Sequence, residues 1–145
     1  MSVKVKDLMS KSVVTAQPHQ TVGQLRAKMG RRKLNNVPVV STDNEPIGMV
    51  SATDLFAAEK EGTPVSNIMT EKVYSIPEYE NIAVAARMMR NHKIHHLTVT
   101  SEKTLIGIIS SFELLKLVED HRFVMKNAST PKAAKKGKRA RVELN

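Results

Sequence analysis

A serine, a threonine and an aspartate lie close together in the segment Gly48-Met49-Val50-Ser51-Ala52-Thr53-Asp54. Hydroxyl and carboxylate groups at this spacing can cap the first turn of a helix. They can also hold a polar ligand, because both groups accept hydrogen bonds and the hydroxyls donate them. The second half of the chain repeats the arrangement as Ser110-Ser111-Phe112-Glu113. There the carboxylate is longer by one methylene and the phenyl ring offers no hydrogen bond, so helix capping is the favoured reading of the second set.

Three histidines lie close together at His92, His95 and His96. His92 and His96 are four residues apart, a spacing that also occurs in helical metal sites. The preceding helical pattern ends near His92, however, and no nearby carboxylate is placed as a third ligand, whereas a zinc site needs a full ligand set. We therefore predict no metal site, and we expect these histidines at a helix end and in the following turn.

Residue combinations that are typical of catalysis do not occur in this sequence. The chain has no cysteine, no Gly-x-Ser-x-Gly elbow and no Walker loop. No pair of carboxylates has a recognisable acid–base context. We therefore expect a protein that is not an enzyme. The lack of cysteine also excludes disulfides and thiolate zinc sites, and it fits a reducing compartment.

An internal repeat of about sixty residues places these groups in the chain. Val5-Lys6-Asp7-Leu8-Met9-Ser10 returns sixty positions later as Val65-Ser66-Asn67-Ile68-Met69-Thr70, and Ile47–Ser51 returns as Ile106–Ser110 with an offset of fifty-nine. The lost residue falls in a turn, where length changes cost little. The repeat predicts one copy over residues 3–60, a linker over 61–64 and a second copy over 65–121.

Within each copy the apolar spacing changes from helical to extended and back to helical. In the first copy Val22, Leu25 and Met29 share one helical face, and the β-rich runs 37–40 and 47–50 flank a turn, which favours a hairpin. The pattern predicts an α/β (α+β) fold in which each copy is a β-α-β-β-α unit. Since one copy buries little surface alone, we expect the two small sheets to pack together with pseudo-twofold symmetry and clefts between the halves.

The positive charge is concentrated at the end of the chain. The net charge is +9, and the segment after Met125 carries seven basic residues and one glutamate. Residues 126–145 have the composition of a disordered basic tail, which can attract nucleic acid or acidic partners without sequence specificity. No run of about 18 apolar residues indicates a membrane span, and we expect a soluble, cytoplasmic protein.

Over about residues 3 to 120 the chain resembles the cystathionine-β-synthase-type repeat, or CBS domain, whose tandem pair is called a Bateman module. Residues 48–54 match the family pattern Gly-hydrophobic-x-Ser/Thr-x-x-Asp. The other matching features are Leu8-Met9, Val14-Thr15 before Pro18, the helix that ends near Met29, and Val37-Pro38-Val39-Val40.

The resemblance implies a regulatory module that binds an adenosyl ligand, such as AMP, ADP, ATP or S-adenosylmethionine, in the cleft between the repeats. An effector protein would respond to occupancy, and no cofactor is required. Asp54 would accept hydrogen bonds from the ribose hydroxyls. The histidines would donate to phosphate, so that affinity rises as the pH falls toward about 6.5. The expected ligand-binding residues are Thr15, Ala16, Gly48, Ser51, Thr53, Asp54, His95 and His96.

The resemblance places a second site at Ser75, Ile76, Ser110, Ser111 and Glu113. Because of the changes at Phe112 and Glu113, this site is either empty, altered in its ligand preference, or structural.

The resemblance also implies a homodimer formed through helices, which agrees with the amphipathic last helix. That helix carries Leu114, Leu115, Leu117 and Val118. The alternative is a structural or dimerisation scaffold whose basic tail binds nucleic acid or acidic partners.

Overall fold

The structure is a computed structural model that describes residues 3–120. The predicted basic tail, residues 126–145, lies outside the described residues. The first repeat contains helix α1 (Val5–Leu8), helix α2 (Val22–Arg32), strands β1 (Asn36–Val40) and β2 (Pro46–Ser51), and helix α3 (Ala52–Ala57). The second repeat contains a short 3-10 helix (Val65–Asn67), strand β3 (Ser75–Pro77), helix α4 (Ile82–His92), strands β4 (His96–Ser101) and β5 (Thr104–Ser110), and helix α5 (Ser111–Asp120).

The long helices α2 and α4 begin and end at equivalent residues. Thr21 caps α2 by accepting a hydrogen bond from the amide of Gln24, while the Gln24 side chain accepts from the Thr21 amide. Asn81 caps α4 by accepting from the amide of Ala83 at 2.8 Å. Both helices end at a lysine, Lys33 or Lys93, with a left-handed φ of 55°. The chain therefore turns into the central strand of each repeat in the same way.

The sheets differ in one respect that follows from a proline. In the second repeat β3 pairs in parallel with β4, and β4 pairs antiparallel with β5. The Thr98 amide on β4 donates to the carbonyl of Tyr74. The equivalent position on β1 is Pro38, which has no N–H to donate. The early strand of the first repeat is accordingly reduced to one parallel bridge between Ala16 and Val39, and the sheet there consists of β1 and β2.

Each repeat completes its hydrophobic core with a residue from the opening segment of the other repeat. Val65, from the start of the second repeat, is fully buried in the core of the first, and its amide donates to the carbonyl of Gln20 at 2.7 Å. Val5, from the start of the first repeat, is fully buried in the core of the second, and its amide donates to the carbonyl of Glu80 at 2.8 Å. The two halves are therefore interlocked.

The sheets also approach each other closely across the pseudo-twofold axis. The amide of Leu105 donates to the carbonyl of Asn44 at 2.9 Å, so that the two hairpins are joined. The predicted α/β (α+β) architecture, with two small sheets packed in pseudo-twofold symmetry, is confirmed. Among the described residues, no helix is long and apolar enough to cross a membrane.

Candidate functional site

A cleft of about 390 Å³ lies between the repeats next to the start of α3. We call it the first cleft. One wall comes from the first repeat and the other from the second, and the side chains are a mixture of apolar, hydroxyl, acidic and basic groups. The lining residues are Asn36, Met49, Ser51, Asp54, Thr70, Lys72, Val73, Tyr74, Ile94, His95 and His96.

Ser51 and Asp54 occupy the first turn of α3 and cap it reciprocally. The Asp54 Oδ2 atom accepts a hydrogen bond from the Ser51 amide at 2.8 Å, and the Ser51 Oγ atom accepts from the Asp54 amide at 3.1 Å. This capping box fixes both side chains at the mouth of the first cleft. The second carboxylate oxygen and the serine hydroxyl proton remain as groups that can face a ligand.

The opposite wall carries a basic and an aromatic side chain from the second repeat. The Tyr74 ring stacks on the His92 ring with 4.1 Å between centroids and 24° between the planes. The Lys72 ammonium lies 5.8 Å from the centroid of the Tyr74 ring. The stack with His92 holds an amphipathic surface in place, and Lys72 puts a positive charge at its edge.

His95 and His96 reach the first cleft from the turn after α4. His96 is half-buried, and its Nδ1 lies 3.3 Å from the Asn36 Nδ2. Burial lowers the pKa of His96 below the ordinary value, the neighbouring His95 lowers it further, and the Glu113 carboxylate opposes both effects. His95 is exposed, and its Nδ1 lies 3.4 Å from the Ser111 hydroxyl.

The structure does not bring Thr15 and Ala16 to the first cleft. The reason is the interlocked packing of the two repeats. Residues 72–74, which precede β3 in the second repeat, face α3 of the first repeat. Residues 12–14, which precede Ala16 in the first repeat, face α5 of the second repeat. Ala16 is buried in the core of the first repeat, and the Thr15 carbonyl accepts a hydrogen bond from the Lys28 ammonium at 3.0 Å.

Gly48 and Thr53 also lie away from the lining of the first cleft. Gly48 is buried beneath Met69, whose sulfur would be 2.4 Å from a Cβ at that position. Its missing side chain therefore makes room for the opening segment of the second repeat. Thr53 is exposed on α3. Of the expected residues, Ser51, Asp54, His95 and His96 are thus brought together.

A second cleft of about 420 Å³ lies at the start of α5. Here Glu113 accepts hydrogen bonds from the amide and the hydroxyl of Ser110, both at 2.7 Å. The lining residues are Ser10, Ser12, Val13, Val14, Lys33, Leu34, Asn35, Asn36, Pro38, His96, Ile108, Ser110, Phe112 and Glu113. Of the residues expected at the second site, Ser110 and Glu113 line this cleft.

The other residues expected at the second site lie elsewhere. Ile76 is buried in the core, and the Ser75 hydroxyl pairs with that of Thr98, a fully buried polar residue. Ser111 opens α5, and its amide donates to the carbonyl of His95 at 2.9 Å. The wall that faces Glu113 comes from the first repeat, and it contains Ser12, Val13 and Val14 rather than Ser75 and Ile76.

The two clefts are built from equivalent positions of the repeat. Every residue that lines the first cleft has its counterpart, sixty or fifty-nine positions away, in the lining of the second. Three of these pairs change chemistry, because a lysine, a tyrosine and a histidine in the first cleft correspond to a serine, a valine and an asparagine in the second. The pairs are Lys72 with Ser12, Tyr74 with Val14 and His95 with Asn35.

Lys72, Tyr74 and Asn36 were not among the site residues expected from the sequence. The repeat offset alone could not identify them, because it shows which positions are equivalent and not which segments face each other. Within residues 3–120, no cluster of three or more histidine, aspartate or glutamate side chains is placed to hold a metal ion.

Comparison with known proteins matches a family model described as CBS domain to residues 5–61 and 65–120. The uncharacterized protein MJ1404 of Methanocaldococcus jannaschii is 27% identical over 135 residues, covering 81% of this chain and 32% of that protein. The inosine-5'-monophosphate dehydrogenase of Halobacterium salinarum is 32% identical over 108 residues, covering 72% of this chain and 22% of the enzyme. The chain thus spans about a third or less of the length of these curated relatives.

Solved structures show the same fold over the whole length of comparable chains. A protein assigned to acetoin utilization (AcuB) from Vibrio cholerae is 28% identical, with a TM-score of 0.74 and coverage of 84% of this chain and 99% of the other. The CBS domain pair of protein MJ0100, solved with 5'-methylthioadenosine and S-adenosyl-L-methionine, is 22% identical, with a TM-score of 0.74 and coverage of 82% and 98%. CBSX2 in complex with AMP is 23% identical, with a TM-score of 0.73 and coverage of 80% and 96%. Since the family model matches nearly all of the described residues as two copies, this chain belongs to the CBS domain family and forms a CBS domain pair.

Proposed function

We propose that the chain is a regulatory module that binds an adenosyl ligand with phosphate groups in the first cleft. One observation carries the proposal: the Asp54 carboxylate from one repeat shares a cleft of about 390 Å³ with Lys72 and Tyr74 from the other. This volume is within the range of small-molecule sites. A ligand that contacts both walls would stabilise one arrangement of the two repeats.

The polar groups at the start of α3 suit a ribose. The Asp54 carboxylate is held in place by the Ser51 amide through one oxygen, which leaves the other to accept from a sugar hydroxyl. The Ser51 hydroxyl accepts from the Asp54 amide and keeps its own proton to donate. Their role as a helix cap is thus compatible with ligand contact.

The opposite wall suits a base and an anion. Tyr74, Val73 and Ile94 offer aromatic and apolar surface, against which a purine can pack. Lys72 supplies a positive charge, and His95 and His96 supply ring N–H donors. These groups favour the phosphates of AMP, ADP or ATP over the sulfonium of S-adenosylmethionine.

The ligands of structural neighbours support the adenosyl class. The MJ0100 domain pair was solved with 5'-methylthioadenosine and S-adenosyl-L-methionine, and CBSX2 with AMP. Each of these compounds contains an adenosine group, which is the ligand class that we propose for the first cleft.

We further propose that occupancy is read by an effector protein and that two copies of the chain associate through helices. A ligand changes a conformational equilibrium through its different affinities for the two states, and an effector that prefers one state responds to that change. Exposed apolar side chains on the outer helices support the homodimer, namely Phe56 on α3 and Phe112, Leu115 and Val118 on α5. No catalytic step is proposed.

A thermal unfolding series tests the binding proposal. Adenosine, AMP, ADP, ATP and S-adenosylmethionine are each added to the full chain. A ligand at about 100 times its dissociation constant adds ~2.7 kcal/mol to the free energy of unfolding. We expect stabilisation by the nucleotides, and we expect Asp54→Ala to lose the part of it that comes from the first cleft. Stabilisation by none of these compounds, together with salt-sensitive DNA binding that requires residues 126–145, would instead favour the scaffold function.

A further inference from the structure

Two side chains, Asn36 and His96, line both clefts. They occupy equivalent positions sixty residues apart, one at the start of β1 and the other at the start of β4. The Asn36 Nδ2 lies 3.3 Å from the His96 Nδ1, so a hydrogen bond joins these two side chains from different repeats. The partition between the two clefts therefore contains this pair.

The orientation of the Asn36 amide indicates which ring nitrogen of His96 carries the proton. An amide nitrogen donates hydrogen bonds and cannot accept one, so the His96 Nδ1 is the acceptor from Asn36. In the neutral ring the proton is then on Nε2. This places a donor on the far side of a ring that is held by Asn36.

We propose that the Asn36–His96 hydrogen bond couples ligand occupancy of the first cleft to that of the second. The inference rests on the proposed function of the first cleft and adds a second adenosyl ligand in the second cleft, which has a volume of about 420 Å³. A ligand oxygen that accepts from the His96 Nε2–H polarises the ring and makes Nδ1 a better acceptor. Asn36 is then held more firmly as part of the wall of the second cleft. The second ligand consequently meets a wall that is already ordered, and it binds more tightly.

Coupling of this kind is reciprocal, because a ligand in the second cleft must raise affinity in the first by the same factor. The size of the effect is limited to what one hydrogen bond contributes, which corresponds to roughly a three- to ten-fold change in affinity. The adjacent residues provide matched controls. His95 lines the first cleft and is absent from the lining of the second, whereas Asn35 lines the second and is absent from that of the first.

Titration calorimetry with AMP on the full chain tests the coupling. Asp54→Ala leaves the second cleft intact and Glu113→Ala leaves the first, so these variants give the two separate affinities. We expect the wild-type chain to bind two AMP molecules. The second AMP should bind about three to ten times more tightly than the affinities measured for the separate clefts predict. In Asn36→Ala we expect this factor to fall to one. In His95→Ala we expect the AMP affinity of the first cleft to change, and in Asn35→Ala that of the second cleft. In both variants the cooperative factor between the two clefts should stay at its wild-type value.

The outcomes distinguish this inference from the proposed function. A single bound AMP, a factor of one in the wild type, or a factor that survives in Asn36→Ala would overturn the coupling and leave adenosyl binding in place. Complete absence of AMP binding would overturn both proposals. A second readout needs no variant: ring 15N spectra of wild-type His96 should show the Nε2–H tautomer with and without AMP, and a ring with its proton on Nδ1 would contradict the proposal.

Discussion

Asp54 and Ser51 exchange hydrogen bonds at the first turn of α3, each accepting from the backbone amide of the other. Glu113 and Ser110 form a different arrangement at α5, where the carboxylate accepts from both the amide and the hydroxyl of the serine. The extra methylene of glutamate lets it reach the hydroxyl. The Ser51 hydroxyl proton is therefore free of the carboxylate, while that of Ser110 is donated to it. This difference favours the first cleft as the site for a polyhydroxylated ligand.

Replacing Asp54 separates capping from ligand binding. Asp54→Ala removes the reciprocal half of the capping box while Ser51 still caps the helix, and we expect a loss of up to about 1 kcal/mol in the free energy of unfolding. It also removes the carboxylate that we propose as the ribose acceptor, and we therefore expect that AMP no longer stabilises the protein through the first cleft. Asp54→Asn keeps an oxygen for the Ser51 amide and should recover most of the stability. Urea unfolding with and without AMP measures both effects.

Glu113→Ala is the control for this substitution. It removes the equivalent contact at α5, and we expect a similar loss of stability while binding in the first cleft is retained. If Asp54→Ala loses stability yet keeps the AMP affinity of the wild type, then Asp54 is a helix cap and the assigned ribose contact is wrong.

Lys72 should discriminate between ligands with and without phosphate. Lys72→Met keeps an unbranched side chain over Tyr74 and removes the charge. Since an exposed ion pair contributes up to about 1 kcal/mol, we expect roughly a two- to five-fold loss of affinity for ATP and little change for adenosine. Calorimetric titrations with both ligands provide the measurement. Lys116→Met, on α5 and outside both cleft linings, should leave both affinities unchanged, and an equal loss for adenosine would argue against phosphate contact by Lys72.

Much of the fold could be predicted from sequence because the repeat shows the order of elements twice. The periodicity of Val22, Leu25 and Met29 indicates a buried helical face, and all three are buried. The pairing of segments across the molecule could not be predicted in this way. Val5 and Val65 are equivalent in sequence, and nothing in their spacing says that each completes the core of the opposite repeat.

The same limit applies to the candidate site. Local signals placed Ser51 and Asp54 at a helix start, where capping alone requires them to be. The resemblance to the CBS family implies Thr15 and Ala16, on the early strand, as further contacts of the ligand beside Asp54. The interlocked packing puts Lys72 and Tyr74 there instead. A local sequence pattern reports which residues begin a helix, but the opposite wall of a cleft depends on long-range contacts.

Two glycines should respond to alanine in opposite directions. At Gly48 a Cβ would lie 2.4 Å from the Met69 sulfur and 2.9 Å from its Cγ, so Gly48→Ala overpacks the contact between repeats. We expect a loss of about 1–3 kcal/mol. At Gly30, within α2, a Cβ would meet nothing within 4 Å. Gly30→Ala should therefore stabilise the helix by roughly 0.5–1 kcal/mol. Chemical denaturation of both variants tests the pair, and a stabilised Gly48→Ala would show that Met69 moves aside freely.

The outer face of α5 should mediate self-association. Leu115 and Val118 are 56% and 53% exposed, and Phe112 is 73% exposed one turn earlier, so that an apolar stripe faces outward. We expect Leu115→Glu to shift sedimentation of the full chain from dimer to monomer. Lys116→Glu, on the same helix, introduces the same side chain outside the stripe and should leave the dimer intact. A wild-type chain that sediments as a monomer at tens of micromolar would exclude this interface.

His96 should make stability depend on pH in a specific direction. Burial, followed by the neighbouring His95, lowers the pKa of folded His96 below the ordinary value near 6.5, despite Glu113. The unfolded chain thus binds more protons in this range, and stability decreases as the pH falls below about 6.5. His96→Asn introduces the residue that the first repeat has at the equivalent position, Asn36. In this variant the free energy of unfolding, measured with urea, should decrease less between about pH 7.5 and pH 5.5 than in the wild type.

The histidine prediction also changes what is expected for ligand affinity. Because the pKa of His96 is lowered, any gain in phosphate affinity from its protonation begins below about pH 6.5 and competes with the loss of stability. Protonated His96 would also carry a proton on Nδ1 and could no longer accept from Asn36. We therefore expect the link between the clefts to weaken on acidification, as measured by AMP titrations at about pH 7.5 and pH 5.5. A cooperative factor that stays constant across this range would show that the Asn36–His96 bond does not carry it.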